Sequence, residues 1–179
     1  MLRIRPATMA DIEQCERLDA SYTTTSVWQM EEDEASDRVV VSFRRARLPR
    51  GMTVRYPGDP AELYPDLQRE QCFLVAEELG RVYGYLDLIV SGLDGQGWIR
   101  HMAVHPSFRR RGIGTHMLEA AEQWARENGL SRIVACVQTK NDPAVSLLMR
   151  QRYRFSGFID RHYRNGDIGM LYALDLSVS

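Results

Sequence analysis

Alternating apolar and polar positions predict strands at the start of the chain and again further on. Leu2–Arg5 alternates strictly, and Thr8 behind it is suited to cap a short helix. Val39–Arg47 is a β-prone run, and Pro49-Arg50-Gly51 predicts a turn into a partner strand at Met52–Tyr56. The first third of the chain is therefore expected to hold a strand, a helix and a hairpin.

The segment Ser21–Ser36 has no clear period. Its acidic run Glu31-Glu32-Asp33-Glu34 favours a solvated face of a helix, since runs of like charge usually face water. The alternative is that these carboxylates attract a cationic amine toward a site.

The patterns that predict strands and helices become clearer after Gln71. Cys72–Leu79 and Val82–Val90 are β-prone runs joined by Gly80-Arg81, which predicts a hairpin. A glycine-rich turn, Ser91–Gly97, leads into a further strand at Trp98–Val104. The pattern then predicts a helix over Thr115–Asn128, a strand over Arg132–Val137, a helix behind Asn141, and strands over Arg154–Tyr163 and Met170–Leu176 joined by an Asn165-Gly166 turn.

This order of elements predicts an α/β fold with a mixed, largely antiparallel central sheet flanked by helices. At 179 residues and 20.6 kDa, the chain is expected to form one domain over residues 1–179.

Charge and cysteine usage narrow the function classes. The net charge of −1 gives no overall attraction to nucleic acid or to a membrane, so neither is an expected partner. No apolar run reaches membrane-spanning length, and the first residues lack the apolar core of a signal peptide. Three scattered cysteines form no pair with metal-ligand spacing, which favours a cytoplasmic protein with reduced thiols and no metal.

One stretch combines strand, basic loop and helix start. The strand Trp98–Val104 is followed by a proline turn, by Arg109-Arg110-Arg111 and by Gly112-Ile113-Gly114, where the helical pattern begins. The first turn of a helix has unpaired N–H groups and a positive dipole end, and glycines let a phosphate approach the backbone. The combination favours a phosphate site, although a solvated basic loop would also contain three arginines.

The motif Arg109–Gly114 resembles the (Q/R)-x-x-G-x-(G/A) motif of the GNAT superfamily of acyl-CoA-dependent N-acyltransferases, and Met102–Pro106 resembles the end of that family's central strand. The similarity covers Cys72–Leu176 well and Leu2–Asp19 loosely. The motif Asn141–Leu148 and the last two strands faintly resemble the streptothricin-acetyltransferase branch.

The resemblance implies that two strands splay apart at a bulge and that acetyl-CoA lies in the opening. It also implies an amine acceptor on a small molecule, peptide or protein, and a homodimer as a common assembly. Asn141 matches an asparagine that often faces the cofactor, but it is equally suited to cap a helix. The implied cofactor-binding residues are Met102, Ala103, Val104, Arg109, Arg110, Arg111, Gly112, Ile113, Gly114, Thr115 and Asn141.

The expected catalytic groups are incomplete. The family often has tyrosine where this chain has Leu148, and carboxylates where Trp98 and Arg100 stand. His101 is the nearest titratable group and the candidate catalytic residue. Strand alternation points it away from Arg100 unless the bulge turns it, and favours a histidine packed in the core. Two functions stay open: an N-acetyltransferase acting on a primary amine, and a non-catalytic CoA-binding or sensor protein.

Overall fold

The computed structural model describes residues 2–91 and 95–176, which form two sheets and four α-helices. The helices are α1 (Ile12–Glu16), α2 (Leu63–Leu67), α3 (Ile113–Glu127) and α4 (Asp142–Arg150). The strands are β1 (Arg3–Pro6), β2 (Tyr22–Ala35), β3 (Arg38–Val54), β4 (Cys72–Glu78), β5 (Arg81–Ser91), β6 (Gln96–Val104), β7 (Arg132–Gln138), β8 (Arg154–Ile159) and β9 (Gly169–Asp175).

A seven-stranded sheet forms the centre of the molecule, in the order β1-β4-β5-β6-β7-β9-β8. Strands β6 and β7 run parallel, and the other neighbouring pairs described in this sheet are antiparallel. The remaining strands, β2 and β3, form a separate antiparallel ribbon. The predicted α/β class with a mixed, largely antiparallel sheet is confirmed.

Helices cover both faces of this sheet. On one face, α3 buries Met117, Leu118, Ala121 and Ala125, whose three- and four-residue spacing places them on one side of the helix. On the other face, a smaller cluster around Ile12, Cys15 and Leu63 joins α1 and α2 to the sheet. Each face of β5 and β6 is thus buried, so both strands are fixed in place.

A β-bulge at Arg100 changes which side chains of β6 point to each face of the sheet. Asp87 pairs with His101 and Leu88 pairs with Ile99, so Arg100 is an extra residue in β6. Ile99 therefore packs on the α3 side, while Ala103 packs on the α1 side. Arg100 and His101 both reach Glu62 near the start of α2. The expectation that strand alternation separates Arg100 from His101 is wrong, because the bulge interrupts the alternation.

Strands β6 and β7 separate beyond this bulge. They pair only from Gln96 to Ile99 in β6 and from Arg132 to Ala135 in β7. The rest of β7 continues to pair with β9 on its other side as far as Gln138. The β7-facing edge of Arg100–Val104 is therefore open, which agrees with the implied splay.

The acidic run lies on a strand, so its prediction as a helix face is wrong. Glu31–Glu34 is part of β2 and pairs with basic β3, with ion pairs from Arg44 to Glu31 (3.3 Å) and from Arg38 to Asp33 (3.1 Å). The residues directly opposite the run are uncharged, so these two ion pairs are diagonal, and they relieve part of the repulsion along the run.

The turn predicted at Pro49-Arg50-Gly51 is also wrong. These residues lie inside β3, where Met52 pairs with Thr24 and Arg47 pairs with Ser26, so that residues 48–51 bulge opposite Thr25. The ribbon turns instead at residues 36–37. A proline and a glycine are tolerated at a bulge on an edge strand, where the ladder is already interrupted.

Two boundaries also differ from the predictions. Helix α3 begins at Ile113 rather than Thr115. Strands β8 and β9 are joined by residues 160–168 rather than by a tight two-residue turn, although Gly166 N–H donates to Tyr163 O (2.8 Å) inside that loop. Part of the turn predicted at Ser91–Gly97 lies outside the described residues. Within the described residues, the helices are too short or too polar to cross a membrane.

Candidate active site

The glycine turn places free main-chain donors at the start of α3. Gly112 is the N-cap with φ +83°, and Arg110 also has a positive φ of 63°. The first intrahelical bond runs from His116 N–H to Gly112 O (3.0 Å). The amides of Ile113, Gly114 and Thr115 precede that bond, so they point out of the helix end and can bind an anion.

Gly114 lets the start of α3 sit close to its neighbours. A Cβ at this position would lie 3.0 Å from Leu147 Cδ2 and 3.2 Å from Met102 Cε. The predicted glycine therefore joins α3 to α4 and to the open end of β6, which brings the helix N-terminus beside the split.

The three arginines have different roles. Arg109 Nε donates to Val104 O (2.8 Å), and the Arg109 amide donates to Pro106 O (3.3 Å). This residue therefore attaches the loop to the end of β6 and to the proline turn. Burial lowers the pKa of its guanidinium. Arg110 and Arg111 are exposed beside the glycines, with Arg111 Cζ 4.9 Å from the centre of the Phe108 ring. The charge available to a phosphate comes from these two arginines.

Asn141 is the N-cap of α4. Its Oδ1 accepts a hydrogen bond from Ala144 N–H (3.1 Å), so the structure shows the helix-capping role that the sequence allowed. A contact of Asn141 with the cofactor stays a prediction.

His101 is buried on the open part of β6, between two polar side chains. Its Nε2 is 3.1 Å from Glu62 Oε2, and its Nδ1 is 3.2 Å from the Tyr56 hydroxyl. The same Glu62 oxygen accepts from Arg100 Nη2 (2.7 Å). Burial lowers the pKa of His101 below its ordinary value, partly offset by Glu62, so the neutral imidazole is favoured at neutral pH.

Two buried carboxyl groups lie behind His101. Asp87 Oδ1 accepts from the His101 amide (2.7 Å), while Asp87 Oδ2 and Asp66 Oδ2 accept no hydrogen bond among the described residues. Asp66 forms ion pairs with Arg69 (3.1 Å) and with Arg100 (3.4 Å). Burial, and then the neighbouring Asp66 carboxyl, raise the pKa of Asp87 to about 8. Asp87 therefore keeps its proton at neutral pH and can share it with the Asp66 carboxyl in a hydrogen bond.

This cluster also bears on metal binding. Asp66, Asp87 and His101 offer ligand atoms within 4.8 Å of one another. Both nitrogens of His101 are already hydrogen-bonded, so this arrangement leaves no imidazole nitrogen free for a metal ion. The expectation that the protein uses no metal stays a prediction.

The family assignment rests on a comparison of sequences. The model of the acetyltransferase (GNAT) family matches residues 40–152. The chain belongs to this family. An acetyltransferase of Photorhabdus laumondii is 35% identical over 99 residues, a match that covers 55% of this chain and 60% of the relative.

Solved structures show the same fold over nearly the whole chain. A nourseothricin acetyltransferase has a TM-score of 0.83 at 23% identity and covers 98% of this chain and 99% of its own. A Bacillus anthracis protein described as a streptothricin acetyltransferase, solved with acetyl coenzyme A, has a TM-score of 0.75 at 18% identity and covers 99% and 98%. The resemblance to the GNAT superfamily is confirmed by the family model, and the resemblance to streptothricin acetyltransferases extends to the fold.

The tyrosine that many GNAT proteins use is absent from this one. Leu148 is buried in the core on α4. Tyr153 is buried with a hydroxyl that has no partner among the described residues, and Tyr163 donates to Cys136 O (3.2 Å). Burial raises the pKa of Tyr153, Tyr163 and Tyr172. Of these three tyrosines, Tyr163 is the one whose hydroxyl donates to the part of β7 that does not pair with β6 among the described residues.

The sequence did not single out Tyr56, Glu62, Asp66 or Asp87. They surround His101 from β5, from α2 with the turn before it, and from the segment after β3. The spacing of these residues carries no motif, so only the folded chain brings them together.

The shared proton predicts a pH-dependent stability. The folded state binds this proton more tightly than the unfolded chain does. Its stabilising effect is therefore complete below the ordinary aspartate pKa and is lost as pH rises toward about 8. Relative to Asp87→Asn, which stays uncharged, the native protein should lose about 2 kcal/mol of unfolding free energy between roughly pH 6 and pH 7.5.

Urea unfolding at several pH values measures this difference. Asp160→Asn, at a side chain that is 63% exposed, is the matched control and should follow the native protein. Parallel pH curves for the native protein and Asp87→Asn would contradict the shared proton.

Proposed function

We propose that this protein is an N-acetyltransferase that transfers the acetyl group of acetyl-CoA to a primary amine of a small molecule, peptide or protein. The observation that carries the proposal is the position of the free amides of α3 directly beside the split between β6 and β7. An extended thioester cofactor can bind its diphosphate at these amides and place its acyl group in the split between the two strands. Family membership supports the same co-substrate.

The diphosphate is proposed to bind the amides of Ile113, Gly114 and Thr115, with Arg110 and Arg111 supplying charge. The pantetheine arm is proposed to bind the open edge of Met102–Val104. Strand alternation directs the main-chain groups of Ala103 toward β5 and those of Met102 and Val104 toward the open edge. Because Val104 O already accepts from Arg109, Met102 and the Val104 N–H carry more of this contact.

The reaction needs an acceptor for the amine proton and donors for the oxyanion. A neutral amine attacks the thioester carbonyl, a tetrahedral oxyanion forms, and the CoA thiolate leaves. Neutral His101 is the proposed proton acceptor, because its imidazole lies on the open part of β6 and is uncharged at neutral pH. A main-chain N–H of the open β6 edge is the proposed oxyanion donor.

Release of free thiol from acetyl-CoA tests this function. The purified protein is incubated with acetyl-CoA and a panel of primary amines, including peptides with free N-termini and polyamines. Nourseothricin and streptothricin belong in the panel because two fold neighbours carry those names. We expect thiol release with at least one amine, and the mass of the product should increase by one acetyl group.

The same experiment distinguishes this function from a second one, that of a non-catalytic CoA-binding protein. Leu148 at the position where the family often has tyrosine favours this second function. Such a protein would bind CoA in a calorimeter and release no thiol with any amine. A cytoplasmic location and a homodimer stay predictions.

A further inference from the structure

We propose that Tyr56 is a catalytic residue that transfers protons between the reacting groups and His101, and that Glu62 is the positioning residue that orients His101 for this relay. The inference rests on the proposed acetyltransferase function and identifies how its protons move. It assigns the chemistry to a tyrosine outside the family motif.

The hydrogen bonds around His101 have a fixed direction. Glu62 offers only acceptor oxygens as a carboxylate and is already paired with Arg100, so His101 Nε2 carries the proton that Glu62 accepts. His101 Nδ1 is then the lone-pair nitrogen, and the Tyr56 hydroxyl donates to it over 3.2 Å. Tyrosine, histidine and glutamate therefore form a chain that can move one proton inward.

Tyr56 is the end of this hydrogen-bonded relay that we place at the split between β6 and β7. The residue as a whole is partly exposed, whereas its hydroxyl is buried and burial raises its pKa. This hydroxyl lies 3.2 Å from Nδ1 of His101, whose main chain belongs to the part of β6 that does not pair with β7. The Tyr56 hydroxyl therefore lies beside the open part of β6, where the acetyl group is proposed to sit.

The backbone leaves room for this arrangement at Gly58. A Cβ there would collide with Tyr56 Cε1 and would lie 2.8 Å from His101 Nδ1. The glycine lets the chain pass over the Tyr56–His101 pair without separating the two groups.

The proposed steps balance in atoms and charge. As the amine nitrogen bonds to the acetyl carbon, its proton moves to the Tyr56 oxygen, and the Tyr56 proton moves to His101 Nδ1. The resulting imidazolium is stabilised by Glu62. The carbon–sulfur bond then breaks, the electron pair leaves with the sulfur, and the same proton returns through Tyr56 to the thiolate. The products are the amide and CoA with a free thiol.

Removal of the Tyr56 hydroxyl is the direct test. Tyr56→Phe should lower kcat by about 100-fold, the lower range for a general acid–base group, while the affinity for CoA measured by calorimetry stays within about twofold. Tyr64→Phe, at a partly exposed tyrosine on α2 that contacts Gln68, is the matched control and should keep native activity. A Tyr56→Phe variant with native kcat would overturn the relay and leave the acetyltransferase function standing, whereas a native protein without turnover would overturn both.

Glu62→Gln separates positioning from packing. The groups facing His101 are Glu62, Tyr56, Arg100, Asp66 and Asp87. Glu62 raises the His101 pKa most, Asp66 raises it less, and Arg100 lowers it. Glu62→Gln should therefore shift the acidic limb of the pH profile of kcat/KM to lower pH and also lower kcat. An unchanged limb would contradict the positioning role. Nitrogen-15 NMR of the native protein should show His101 protonated at Nε2, and protonation at Nδ1 would overturn the direction of the relay without any assay of activity.

Discussion

Gly112→Trp is expected to weaken binding of CoA by about 10- to 100-fold. A residue with a Cβ is disfavoured at φ +83°, so the turn that directs the amides of α3 toward the phosphate is distorted. Hydrogen bonds to a charged group contribute about 1.5–3 kcal/mol, and each 1.4 kcal/mol is about tenfold in affinity. Calorimetry with CoA measures the effect.

The other end of α3 provides a matched control. Gly129 also has a positive φ (+70°), and nothing lies within 4 Å of a Cβ built there. Gly129→Trp should carry a similar strain and keep native affinity for CoA. If Gly112→Trp also binds CoA with native affinity, the turn at the start of α3 is not the diphosphate site.

Asp142→Ala is expected to lower the unfolding free energy by about 3 kcal/mol. The buried Asp142 carboxylate accepts from Trp28 Nε1 (3.1 Å) and from Arg45 Nε and Nη2 (2.8 and 2.7 Å). These bonds attach the β2–β3 ribbon to the start of α4. Removing the carboxylate leaves the Trp28 donor without its partner, and a charged hydrogen bond contributes about 1.5–3 kcal/mol.

Urea unfolding measures the loss of unfolding free energy, and digestion with trypsin shows whether the β2–β3 ribbon is the part that is released. The ribbon contains several arginines, so its release should speed cleavage within β3. Arg44→Ala is the control, because the Arg44–Glu31 pair has side chains 67% and 62% exposed and should contribute nothing measurable. Equal stability of Asp142→Ala and the native protein would show that the ribbon is held by its other contacts, such as the main-chain Trp28 N–H to Thr139 O hydrogen bond (2.8 Å) and the packing of Phe43 on Phe155 and Phe158.

The parts of the site that follow local patterns were predictable. The glycine turn, the start of α3 within two residues and the end of β6 all depend on residues adjacent in sequence. Helix periodicity and the conformational freedom of glycine act over this range. The family resemblance then placed the cofactor beside that turn.

The parts that depend on distant contacts were not predictable. Tyr56 and Glu62 lie 45 and 39 residues before His101, and their positions follow from the path of the chain after β3. The pattern of the acidic run of β2 predicts a helix face because it does not show that Glu31 and Asp33 pair with arginines across the ribbon. A sequence pattern shows that such a run is exposed but does not show its partner.

The bulge at Arg100 has a consequence for aligning this protein with its relatives. In a central strand without the extra residue, side chains alternate between the two faces of the sheet along its whole length. In β6 this alternation reverses at Arg100. For a relative whose central strand lacks the extra residue, a gap-free alignment anchored on Met102–Val104 would equate inward with outward side chains before the bulge. Superposed coordinates, rather than counted positions, should decide which residue of a relative corresponds to Trp98 or Ile99.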